Sequence, residues 1–399
     1  MLIKRRSFIQ SGSLAAASLF VPRMLKAFEG PGALPAGNKI LIVLQLTGGN
    51  DGLNTFIPYR NDLYYRSRPR IGIKRERALH LTDEMGVNSA LPYFKTLFDE
   101  GNMGILNSVG YPQPDRSHFR SMDIWHTASN STEYLNTGWL GRYLDQECAS
   151  CEHPSQALEI DEVLGLCLKG NIHNGIAFTD AARLYRTAKD PLLTKLVSSH
   201  EHEHSSHTVD YLYQTLAGTV NNAGYIFQNS RQFPVSAAYP GTSIGKDLKT
   251  IASLILSDIN TCVYYLSVGS FDTHAAQESR QQKLFRDLDE AIAVFVADMK
   301  RHSRFDDILI AGFSEFGRRV EQNSSGGTDH GAANNMFFLG GKIKQQGLLN
   351  DLPDLADLDD GDIRYKVDFR QVYATLLESW LGVQSQTILN GKFTPLPFL

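Results

Sequence analysis

Asp51, Asp272, His274, Glu315, Asp329 and His330 stand at the ends of apolar runs or in the loops beside them. Five of the six fall within Cys262–Gly331, where CVYYLSVGSFDTH, DILIAGFSEFGRR and GGTDHG follow one another. Mixed carboxylates and imidazoles suit Zn, Mn and related divalent ions, and an all-oxygen set suits Mg or Ca. A bound ion with an open position can polarise an ester oxygen or activate water. Upstream, Arg116-Ser117-His118 puts a hydroxyl near the start of a helix predicted to run through Trp125. A serine there can act as nucleophile while the helix end cradles an anion. Arg116 has the fork geometry to clamp an anionic oxygen. Each residue also has a plainer use. Ser117 suits a helix N-cap, and Asp51 beside Gly52 suits a turn. Glu315 suits a partner for Arg318 or Arg319, and His118 and His126 suit packing or support of the site.

These residues need a scaffold that brings them together. Lys39–Leu46 (KILIVLQL), Met103–Val109, Cys262–Val268, Ile308–Phe313 and Met336–Leu339 read as strands, the first apolar enough to be buried on both faces. Leu91–Gly101, Lys246–Ile259, Glu278–His302 and Asp368–Leu381 read as helices, the last with an Asp N-cap and Gly382 behind it. Strands alternating with helices predict an α/β fold, with a mostly parallel central sheet covered by helices. One domain over 38–399 is expected, with 145–245 as a large insertion or cap. In such a sheet, ligands bind beyond the carboxyl ends of the strands. Asp51, Ser117, Asp272, His274 and Glu315 follow strand ends, and Asp329 and His330 precede the last strand. Residues distant in sequence would thus share one sheet edge.

The 399 residues are 42% hydrophobic and 21% charged, an ordinary globular composition, and the net charge of −4 gives no reason to expect a nucleic-acid partner. Met1–Ala27 contains Arg5-Arg6-Ser7-Phe8-Ile9 before an Ala-rich run, which resembles a twin-arginine export signal. Ala27 or Ala36 would precede the cleavage point. The apolar run is too short for a permanent membrane anchor, and no other segment predicts an integral span. The mature chain is therefore expected in the periplasm or cell exterior. Of the four cysteines, Cys148–Cys151 or Cys151–Cys167 would make a disulfide in that compartment. His200, His204 and His207 would share one face of a helix expected over Pro191–Leu216, where a solvated charged face is the plainer reading.

The motifs LQLTGGNDGLN, PDRSHF, SFDTH, SEFGRR and GTDHG, in this order, resemble the domain-of-unknown-function family 1501. Its members commonly carry a twin-arginine signal and belong to the alkaline phosphatase/sulfatase superfamily. The resemblance spans Lys39 to Leu381 and implies an alkaline-phosphatase-like fold. It implies a first metal held by Asp272, His274 and His330, a second by Asp51 and Glu315, and a nucleophile at Ser117. There are two departures. Glu315 is followed by Phe316 where the superfamily's phosphatases have a histidine, and Asp272 and His274 are separated by one residue rather than three. A one-metal or degenerate site stays open. The implied function is an exported metal-dependent hydrolase of phosphate or sulfate esters, acting on a small anionic substrate through Ser117 or a metal-bound water. The alternative is a non-catalytic binding or assembly protein that works with a second exported protein.

Overall fold

The computed structural model describes residues 39–148, 155–199 and 207–399. The central sheet contains β1 (Ile40–Leu46), β2 (Met103–Gly110), β3 (Ala157–Glu159), β4 (Ile176–Ala177), β5 (Val263–Val268), β6 (Ile308–Phe313), β7 (Asn334–Gly340), β8 (Gly347–Leu348) and β9 (Val367–Asp368). Across the sheet the order is β8-β2-β7-β6-β1-β5-β3-β4, with β9 also beside β2. The helices used below are α1 (Pro92–Asp99), α2 (His118–Thr127), α3 (Trp139–Glu147), α4 (His207–Gln232), α5 (Ser243–Leu256), α6 (Gln277–Arg301) and α7 (Phe369–Thr375).

Strand alternation sends β1 into two cores. Ile40, Ile42, Leu44 and Leu46 pack on one side with α1, α5 and α6, through residues such as Leu97, Ile251 and Phe295. Leu41 and Val43 pack on the other with Trp125, Trp139 and Tyr373 of α2, α3 and α7. Burial on both faces is why the strand reads as an unbroken apolar run. β1 is parallel to β5 and β6, so the carboxyl ends of all three open on one edge.

β7 departs from the parallel arrangement, pairing antiparallel with both β2 and β6. Its N-terminal end therefore lies on the same edge as the carboxyl ends of β1, β5 and β6. This reversal is what lets the loop before β7 deliver Asp329 and His330 to the crevice.

The 145–245 region is not wholly apart from the sheet, because β3 pairs in parallel with β5 and β4 with β3. The Asn- and Gly-rich stretch after Ala217, beyond the helix expected to reach Leu216, continues α4 to Gln232. Ala223 and Ile226 are fully buried there, and packing overrides weak helix propensity. At the other end of the chain, Asp368 caps α7 in a capping box with Gln371, and the helix ends at Gly382 with φ 76° after a π-helical turn. Cys148 is disulfide-bonded, whereas Cys167 and Cys262 are free, which removes the pairing through Cys167. The twin-arginine segment, Cys151, His200 and His204 lie outside the described residues. No described helix is long and apolar enough to cross a membrane.

Glu159 in β3 gives a test of this packing. Its side chain accepts a hydrogen bond from the Gly165 N–H at 2.6 Å. Burial nevertheless pushes its carboxyl up to about 7. The folded chain thus holds a proton that the unfolded chain has released, and stability falls as pH rises from the ordinary carboxylate range to about 7. Glu159→Gln should flatten that fall, by on the order of 3 kcal/mol between pH 4.5 and 8. Denaturant titrations across that range would show it, and parallel profiles for parent and variant would refute it.

Candidate metal centre

The loop after β1 sets the floor of the site. Gly48 and Gly49 have φ of +115° and +68°, and a Cβ on either would collide, with the Asp272 backbone or with the Phe316 ring. The buried Arg318 guanidinium stitches this floor together. It donates to the carbonyls of Gly48, Gly49, Phe271 and Thr328 and, at 2.7 Å, to Asp272 Oδ1.

That Asp272 oxygen faces two imidazole nitrogens. His274 Nε2 is 3.0 Å from it and His330 Nε2 is 3.2 Å from it. The two nitrogens are 2.9 Å apart. The other ring nitrogens reveal the tautomers. His330 Nδ1 lies 2.8 Å from the Arg116 carbonyl, which can only accept, so Nδ1 carries the hydrogen. His274 Nδ1 lies 3.0 Å from Asp329 Oδ1 and is fixed in the same way. Both Nε2 atoms then present lone pairs to each other and to a carboxylate oxygen. Such a cluster requires a cation or an extra proton between its members. Burial, with Arg318 and His118 nearby, pushes the His330 imidazole below its ordinary value, which disfavours the proton. Burial raises the Asp272 carboxyl, but the hydrogen bond and charge of Arg318 outweigh it and hold the group at about 2. A tetrahedral ion with bonds of about 2.0–2.1 Å needs ligands about 3.3 Å apart, so the triangle must open by only a few tenths of an ångström.

His118, assigned above to packing or support, stands at the cluster. Its Nδ1 lies 2.9 Å from Glu315 Oε1 and its Nε2 is 3.6 Å from Asp272 Oδ2. His118, Asp272 and His330 each place a ligand-type atom within 4.8 Å of the others, and His274 fits tighter still by its distances to Asp272 and His330. The Glu315 hydrogen bond raises the His118 imidazole. Burial raises the Glu315 carboxyl, but His118 and the Gly48 N–H outweigh it and leave it lowered. The only sequence signal for His118 was its place directly after Ser117.

Asp51 and Glu315, expected as a second ligand pair, both have oxygens engaged by neighbouring donors. Asp51 Oδ1 accepts from the Leu53 and Asn54 N–H groups, capping the helical turn Gly52–Thr55. Its Oδ2 accepts from Arg68 at 2.7 Å and Gln277 at 2.5 Å. Both Asp51 and Arg68 are buried. Gln277 in turn accepts from Thr273 and Thr328, so Asp51 braces the ligand loops from behind. Glu315 Oε1 is taken by His118 and Gly48, not by Arg318 or Arg319. The Phe316 ring fills the space against Gly49, His118 and His330.

Arg116 is committed as well. It donates to Asp362 Oδ2 at 2.9 and 2.5 Å, so its carbonyl meets the site rather than its cation. Ser117 is the N-cap residue of α2 by position, yet its side chain makes no capping hydrogen bond. Ser117 itself is exposed, between two residues that touch the cluster.

Asp329 accepts from His274 and Asn323, and those bonds hold its carboxyl below the ordinary range. It holds the far side of the His274 ring and does not reach the facing atoms of the Asp272–His274–His330 triangle by a hydrogen bond. Asp329→Asn should weaken metal binding about 10- to 100-fold. Calorimetric titration with zinc would measure the loss, and unchanged affinity would remove Asp329 from the centre.

Fold and cluster together define an α/β protein with a histidine–carboxylate centre at the carboxyl edge of its sheet. The profile of a family described as "Protein of unknown function (DUF1501)" matches residues 101–391, and the chain belongs to that family. A search of curated proteins gives no match. Among solved structures it is similar to the PsFucS1 sulfatase from Pseudoalteromonas sp., at 12% identity and TM-score 0.41, covering 94% of this chain and 72% of that one. It is similar to the phosphonate monoester hydrolase SpPMH from Silicibacter pomeroyi, at 8% identity and TM-score 0.42, covering 90% and 75%. It is also similar to a protein in the alkaline phosphatase superfamily from Vibrio parahaemolyticus, at 12% identity and TM-score 0.40, covering 91% and 71%.

Proposed function

We propose that the chain is an exported, metal-dependent hydrolase of phosphate or sulfate esters working with one divalent ion. The observation that carries the reading is the triangle of lone-pair atoms on Asp272, His274 and His330, all within 3.2 Å of one another. Two imidazoles and one carboxylate suit zinc or manganese better than magnesium or calcium. Three protein ligands leave a fourth position open, as catalytic sites require. The ion supplies Lewis-acid polarisation of an ester oxygen when bound. The chain supplies the rest. Ser117 offers its uncapped hydroxyl at the positive end of α2, where developing negative charge is favoured. His118, backed by Glu315, presents Nε2 towards the centre as an imidazole able to take a proton. The occupied oxygens of Asp51 and the Phe316 ring favour one ion over two.

Metal analysis of the purified mature protein, with a screen of phosphate and sulfate esters, tests the reading. Ser117→Ala should keep the metal and lose roughly three orders of magnitude or more in kcat/KM. Unchanged esterase activity would remove Ser117 from the mechanism. The closeness of His118 to the cluster favours one second reading, a closed four-ligand site without catalysis. His118→Ala separates them. An enzyme keeps its metal and loses turnover, whereas a closed site loses metal affinity and has no turnover to lose.

A further inference from the structure

The described residues leave four aromatic rings exposed, Phe119, Tyr134, Phe233 and Tyr365. Three of them flank the segment that carries Ser117. Phe119 follows His118 directly in the first turn of α2, so its Cα is about 3.8 Å from that of a residue at the cluster. Tyr134 lies in the loop after α2, and Ser131 of that loop donates to the Pro112 carbonyl at 2.7 Å. Tyr365 lines a groove with Gln113 and Arg116. Phe119 and Tyr134 are 84% and 76% exposed, and neither belongs to a buried apolar cluster. A ring left in water forgoes the burial that would make it stabilising.

Tyr134 is also held in place. Arg120, one residue after Phe119, is buried, and its guanidinium carbon lies 3.8 Å from the centre of the Tyr134 ring. That guanidinium is itself fixed, donating to the carbonyls of Asn130, Ser131 and Glu133 at 3.2, 3.0 and 2.5 Å. The loop thus closes on a buried cation that covers one face of the ring and leaves the other to solvent. A ring oriented in advance loses little freedom when a partner stacks on it. The partner that suits it is another ring with an apolar face, either an aryl group or the C–H face of a sugar. Gln113 and Asn136 add exposed amides to the same segments, able to meet sugar hydroxyls.

We infer that Phe119 and Tyr134 receive the organic ring of an ester, a sugar or an aryl group, whose anionic end lies at the metal centre. The inference rests on the hydrolase reading for the word ester, but ring recognition can be tested apart from turnover. The zinc-loaded full chain would be titrated calorimetrically with glucose 6-phosphate, phenyl phosphate and propyl phosphate. Phosphate release from each, and sulfate release from the matching sulfate esters, would be assayed in parallel. At least one ring-bearing phosphate should bind about tenfold more tightly than propyl phosphate. Glucose 6-phosphate ahead of phenyl phosphate identifies a sugar, and the reverse order an aryl group. Phe119→Ala and Tyr134→Ala should each cut the advantage about threefold, and the double variant should remove it. Phe119→Trp should retain it. Binding of propyl phosphate and of zinc should stay unchanged throughout, which separates ring contact from damage to the fold or the centre. Equal binding of the three phosphates, no binding of any, or a ring preference that survives the double variant would overturn the inference, whether or not an ester is hydrolysed. A ring preference lost in the double variant, without release of phosphate or sulfate from any ester, would support the aromatic rim and sink the hydrolase.

Discussion

His274→Ala is expected to abolish stoichiometric metal binding while leaving the metal-free chain as stable as the parent. Structural zinc sites bind with about 10–16 kcal/mol over four ligands, so one ligand contributes on the order of 3 kcal/mol, or about two orders of magnitude in affinity. The metal-free side of the prediction follows from the lone-pair conflict. His274 Nε2 is 2.9 Å from His330 Nε2 and 3.0 Å from Asp272 Oδ1, and without an ion those contacts are repulsive. The side chain is 43% exposed, so its removal opens no buried cavity. Denaturant titration in chelator should put the variant within about 0.5 kcal/mol of the parent or above it. With saturating zinc, the parent should gain stability and the variant should not. A variant that still binds one zinc per chain at parental affinity would dismantle the proposed ligand triangle.

Arg68→Met should have the opposite profile, costing about 3–5 kcal/mol of stability and leaving zinc affinity within about tenfold. Arg68 donates to Asp51 Oδ2, Asn54 Oδ1 and the carbonyls of Val320 and Arg319. Removing it strands the Asp51 charge in the interior, where its side chain is only 1% exposed. The cost is that of an unpaired buried ion rather than of a lost surface bridge. Asp51→Asn should follow the same pattern more mildly, because the amide oxygen still caps Leu53 and Asn54. Loss of zinc from either variant with the fold intact would return Asp51 to the ligand set.

The scaffold was legible because its signals are local. Apolar runs at Ile40–Leu46, Val263–Val268 and Ile308–Phe313 need no partner to be read as buried strands. The rule that ligands gather at carboxyl ends then pointed to the sheet edge where Asp272 and His274 follow Val268. Three features were not legible. The helix through Asn222 and Asn229 defied its composition because buried Ala223 and Ile226 anchor it. Arg68 sits in a segment without clear period, and nothing local announces that it will pair with Asp51. His118 differs from a packing histidine only through Glu315, 197 residues away.

Residue types and spacing by themselves determined the α/β class, the edge of the sheet that matters and the donor chemistry available there. Tertiary structure alone decided which donors remain free to act. Asp51 and Glu315 look like ligands in sequence, but neighbours already occupy their oxygens. Asp272, His274 and His330 keep lone pairs aimed at one point because Asp329 and the Arg116 carbonyl hold the far sides of the two rings. A side chain's type fixes what it can donate or accept. Whether that capacity is already spent depends on partners that only the folded chain brings within about 3 Å.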